Sequence, residues 1–165
     1  MNFWEHSASG AQRNPATGDD CHDFRSFLKR SLRLLWEQHP PSYQQMALAL
    51  AGKRVLIEID HEAIALRFAD GTVYTEDPHG HFDVEARTSK AVILGLVDGQ
   101  HTLMSTVLED LFFLRGAMPE LLAFHEGLTF YLQGAVRAPS FPGLLRRFRA
   151  LEPSQTTPTT HTQVR

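Results

Sequence analysis

The 165-residue sequence holds one cysteine, Cys21, and no apolar run near the roughly 18 residues that span a bilayer. A lone cysteine excludes an internal disulfide, so packing must hold the fold, and it fits a reducing, cytoplasmic setting. The opening MNFWEHSASG has neither the basic flank nor the apolar centre of a secretory leader, so none is expected. Stable membrane insertion is not expected either. Positive charge is scarce: 16 Lys and Arg against 19 Asp and Glu leave a net −3. Phosphate neutralisation needs clustered cations, which argues against nucleic acid as a partner. A glycine-rich phosphate loop is missing too, because Gly95 and Gly99 merely bracket LVD inside and after a helical stretch.

What is present is apolar pattern. Hydrophobic residues make up 42% and charged residues 21%, as in an ordinary soluble domain large enough for one core. Residues 1–18 are rich in Gly, Ser, Asn and Ala and read as a loose arm, with Phe3 and Trp4 as its only anchors. The Thr/Pro-rich stretch 153–165 reads as a disordered tail. That leaves one domain over 19–152.

Inside it, Asp19 and Asp20 offer caps for a helix carrying Phe24, Phe27, Leu28, Leu32, Leu35 and Trp36 up to Pro40–Pro41. A second helix is expected from Ser42, with Gln45 in the capping-box position, to Gly52. RVLIEID and AIALRFA alternate as hairpin strands, Asp70–Gly71 turns the chain, and TVYTE follows. HFDVEART sets Phe82, Val84 and Ala86 against polar neighbours, a strand wet on one side. Thr88 or Ser89 caps the next helix, which ends at Gly99, and Thr102 opens a shorter one. Leu111–Arg115 is the last strand, Pro119 starts a long helix ending at Gly134, and Ser140 caps FPGLLRRFRAL. The expectation is an α+β fold: a mainly antiparallel sheet backed by helices, with additional N- and C-terminal helices.

Candidate chemistry is thin. Ser26-Phe27-Leu28-Lys29 matches a serine-acylase signature without its companion motifs, and both polar residues share the wet flank of a helix. Asp77, His79, His81 and Asp83 could suit zinc or nickel, yet the same residues compose an ordinary turn into a strand. His125-Glu126 starts a zinc-protease helix but lacks the second histidine. Cys21, His22 and Asp23 are neighbours in sequence, not an assembled triad. Arg146, Arg147 and Arg149 read as the solvated face of the last helix, with transient contact to anionic lipid heads as the other use. No cofactor, metal or catalytic group is expected.

Three blocks together resemble the sterol carrier protein-2 family. VLIEID followed by AIALRFADG is similar to its opening hairpin. FDVEARTSKAVILGLVDG resembles its strand-to-helix block, and TLMSTVLEDLFFLRGAMPELLAF its closing pattern of short helix, apolar strand, glycine and helix. The resemblance covers about half the chain. It implies a five-stranded sheet enclosing an apolar pocket that binds a sterol, fatty acyl chain or isoprenoid without catalysis. A scaffold or accessory role in a lipid or isoprenoid biosynthetic complex is the alternative. The pocket residues expected on that basis are Ile93, Leu96, Val97, Leu103, Val107, Phe112, Leu114, Leu121, Phe124 and Leu128, with Gly99 and Gly116 as tight reversals. In the last strand, Leu111 and Phe113 stand where polar residues are commoner. The helix Ser140–Leu151, a second copy or a partner protein is therefore expected to cover the outer sheet face.

Overall fold

The computed structural model describes residues 21–151; the arm at 1–18 and the tail at 153–165 lie outside them. Helices α1 (Phe24–Gln38) and α2 (Pro40–Ala49) come first, then strands β1 (Arg54–Ile59), β2 (Glu62–Ala69), β3 (Thr72–Glu76) and β4 (Val84–Thr88). Helices α3 (Lys90–Val97) and α4 (Leu103–Leu108), strand β5 (Phe113–Gly116) and helices α5 (Met118–Ala135) and α6 (Phe141–Ala150) complete the order.

Helix α1 starts later than expected because Asp23 is its cap. Asp23 Oδ1 accepts the Ser26 amide at 2.7 Å, and Ser26 Oγ accepts the Asp23 amide at 3.1 Å. Asp19 and Asp20 lie outside the described residues. The Ser26 hydroxyl is thus a capping group, not a nucleophile beside Lys29. Glu62, at the start of β2, accepts the Phe24 amide at 2.8 Å and ties the helix end to the sheet. Helix α2 also departs from expectation: Pro40 and Pro41 open it rather than only closing α1. The first turn has no intrahelical partner for its amides, so prolines fit there. Ser42 is then buried inside the helix instead of capping it.

The five strands run in the order β3-β2-β1-β4-β5. Three neighbouring pairs are antiparallel, but the central pair β1 and β4 is parallel, so the sheet is mixed. The β1–β2 and β2–β3 turns use left-handed residues, Asp60 at φ 55° in one and Asp70 and Gly71 at 53° and 69° in the other. The parallel pair requires a crossover, and DPHGHFD supplies it. Arg54 clamps that loop, donating to the carbonyls of His79 and His81 at 3.0 Å each and standing over the Phe82 ring at 5.0 Å. Asp83 Oδ2 accepts the Arg54 amide at 2.7 Å. Asp77 pairs with Arg25 at 2.6 Å. The acid–histidine cluster is therefore a backbone device, and no group of three His, Cys, Asp or Glu side chains suited to a metal occurs among the described residues.

One face of the sheet carries Val55, Ile64, Leu66, Phe68, Val84 and Ala86, all buried under the helices. The other carries ion pairs, Arg67–Glu76 at 2.6 Å and Arg87–Glu58 at 3.4 Å among them. Helix α6 does not cover that outer face. It packs on α1 on the opposite side, with the Phe148 and Phe27 rings stacked at 4.1 Å. Its hydrophobic period dictates this, since Phe141, Leu144 and Phe148 form one buried stripe. Leu111 precedes the last strand rather than belonging to it. Phe113 is 50% exposed on the outer face with Arg87 at 5.7 Å from its ring. Helix α5 lies close on both α1 and α2: a Cβ at Gly134 would stand 2.2 Å from Leu35 Cδ1 of α1 and 2.6 Å from Ser42 Cβ of α2.

Candidate functional site

Between the buried face of the sheet and the helices lies a cavity of about 290 Å³. Alternation along β1 and β4 supplies the floor, Ile57, Ile59, Ala86 and Thr88. The first turns of α1 add Phe24, Phe27 and Leu28, and α5 adds Phe124, Leu128, Tyr131 and Leu132. The α3–α4 segment contributes Ile93, Leu96, Val97, His101 and Leu103, while Phe112 and Phe141 close the sides.

Of the ten residues expected at a pocket, the fold brings seven to this wall: Ile93, Leu96, Val97, Leu103, Phe112, Phe124 and Leu128. Val107, Leu114 and Leu121 are half-buried and pack against the core elsewhere. Leu121 is turned toward Gly116, where a Cβ would meet its Cδ2 at 3.3 Å and the Asp83 carbonyl at 2.6 Å. Gly116 is thus a close approach of backbones, whereas Gly99, at φ +71°, is a true reversal. The residues missed are the floor residues Ile57, Ile59, Ala86 and Thr88, then His101, Tyr131 and Leu132, and those of α1 and α6. The aromatic stripe of these two helices, Phe24, Phe27 and Phe141, is visible in the sequence as helical spacing, but spacing does not say whether a stripe meets core or cavity.

No lining residue is charged, and two of the three polar ones are already engaged. Thr88 Oγ1 donates to the Leu111 carbonyl at 2.9 Å. Tyr131 donates its hydroxyl to Ser31 Oγ at 2.8 Å, and Ser31 donates to the Leu28 carbonyl at 2.8 Å. Burial pushes the Tyr131 phenol up to about 12, so it stays neutral. His101 is the third.

A smaller hollow of about 170 Å³ shares Phe24 and Ile59 with the cavity and is rimmed by His22, Asp23, Asp60, His61, Glu62 and Lys90. Several of these groups are structural: Asp23 and Glu62 hold the start of α1, and Lys90 donates to the Arg149 and Leu151 carbonyls at the end of α6. Helix α6 is also latched to the end of α3, where the two terminal guanidinium nitrogens of Arg149 reach Asp98, at 2.7 and 2.9 Å. Hydrogen bonds from Arg149 hold the Asp98 carboxyl below its ordinary value. Cys21 is buried, and desolvation raises its thiol, the opposite of an activated nucleophile. Among the described residues no helix is long and apolar enough to cross a membrane.

No family model and no curated protein matches the chain. Solved structures do. A ubiquinone synthesis protein, UbiJ-SCP2, aligns at TM-score 0.51 and 17% identity over 69% of this chain and 96% of its own. A crystal structure of sterol carrier protein 2 aligns at 0.50 and 12%, over 68% and 96%. The solution structure of sterol carrier protein domain 2 from Helicoverpa armigera aligns at 0.50 and 12%, over 78% and 97%. At such identities the likeness is one of fold, and it is the fold the sequence blocks resemble.

Proposed function

We propose that this chain, which has the sterol carrier protein 2 fold, binds the apolar part of a lipid in the cavity and performs no chemistry on it. The observation that carries the reading is the lining: a cavity of about 290 Å³ without one charged side chain. Binding there needs no polar anchor, since each methylene withdrawn from water contributes about 0.8 kcal/mol. Ten of them contribute about 8 kcal/mol, comparable to the freedom lost on association. General acid–base work needs convergent titratable groups, and the wall offers a single imidazole and a phenol held neutral. The lone buried cysteine supports a cytoplasmic setting.

An accessory role in the synthesis of an isoprenoid lipid is the second reading, favoured by the likeness in fold to the ubiquinone synthesis protein. The half-exposed Phe113 on the outer face is the surface such a role would use. Displacement of a fluorescent fatty acid, measured on wild type and Leu96→Trp, tests the binding reading. Saturable binding that the indole weakens at least tenfold supports it. A probe that never binds refutes it. Native mass spectrometry separates the two roles by the mass that copurifies, lipid or protein.

A further inference from the structure

His101 stands apart from the other polar groups of the wall. Thr88 and Tyr131 direct their hydroxyls into the protein, but no hydrogen bond joins the His101 imidazole to another described residue. It is half-buried on the cavity wall. Its position is also built. The turn after α3 folds back so that the Gln100 and His101 amides both reach the Gly95 carbonyl, at 2.8 and 3.3 Å. The ring lies directly on Gly95, where a Cβ would come within 2.6 Å of its Cδ2. A glycine inside a helix costs stability, so this one marks the contact that keeps the imidazole against α3.

We infer that His101 is the specificity contact of the cavity, selecting lipids whose head carries a neutral hydrogen-bonding oxygen, a hydroxyl or a carbonyl. This rests on the lipid-binding reading above. The imidazole has an N–H in either protonation state, which such an oxygen accepts. An anionic head would find no fixed cation on the wall.

The test measures displacement of a dansyl fatty acid by 1-dodecanol and by n-dodecane, which differ by one hydroxyl. Comparing variants within this pair cancels the ligands' own solvation. In His101→Leu the preference for dodecanol over dodecane falls about two- to tenfold, the value of one hydrogen bond. His101→Gln, which keeps a donor, restores part of the preference. Gly95→Ala, which moves the ring without changing it, reduces the preference as the leucine does. An unchanged ratio in His101→Leu overturns the inference and leaves lipid binding intact. A bound probe that neither ligand displaces overturns the inference alone, and a probe that never binds wild type overturns both.

Discussion

Ala86 is the sharpest place to ask whether the space between sheet and helices is usable. It lies on β4 between Ile57 and Leu114, is 1% exposed, and forms part of the cavity floor. Two residues earlier on the same face, Val84 is fully buried but does not line the cavity. Ala86→Leu adds three carbons that project into the hollow. At about 0.8 kcal/mol per buried carbon the protein gains up to about 2 kcal/mol, or a rise in Tm of roughly 4–8 °C for a domain of this size. Val84→Leu adds a single carbon to packed core, and overpacking there costs about 1–3 kcal/mol. The two substitutions therefore shift stability in opposite directions. Ligand binding gives a second sign: three carbons of protein displace about three of lipid, weakening affinity roughly fiftyfold. Urea unfolding without ligand, followed by probe titration, reads both quantities. If Ala86→Leu destabilises as much as Val84→Leu, the hollow is not free to accept a guest, and the binding argument fails with it.

Two further outcomes follow from the helix layer. Gly134→Ala destabilises by about 1–3 kcal/mol, although alanine favours a helix, because its Cβ would lie 2.2 Å from Leu35 Cδ1; chemical denaturation checks this. Tyr131 titrates near 12 in the fold against about 10 when unfolded. Its contribution is intact below about pH 10 and is lost as pH rises through 12, so wild-type stability declines on that limb. Tyr131→Phe flattens that decline and costs about 0.5–1.5 kcal/mol at neutral pH, since the bond to Ser31 goes. A decline as steep in the phenylalanine variant would place the alkaline sensitivity elsewhere.

Local chemistry reaches far along this chain. Thr102 with Ser105 and Ser89 with Val92 form the caps of α4 and α3 where turn and capping residues point to them. Where such inference slipped, a neighbour out of reach in sequence decided. Ser42 resembles a cap until Gly134 of α5 buries it. DPHGHFD resembles a metal cluster until Arg54, on β1, takes its carbonyls. Leu111–Arg115 reads as one strand until pairing with β4 begins only at Phe113.

The candidate site divides the same way. Alternation in strands and 3.6-residue spacing in helices determine which side chains leave water, and by themselves they yield the α+β class and the apolar character of the wall. They are silent on distance between elements. A stripe such as Phe24–Phe27 or Leu121–Phe124 becomes core or cavity lining according to how far apart the layers stand. The parallel β1–β4 pairing, the close α2–α5 crossing at Gly134 and the latch of Arg149 on Asp98 set that separation. Only the assembled structure could decide it, because burial depends on the residue itself while a void depends on everything around it.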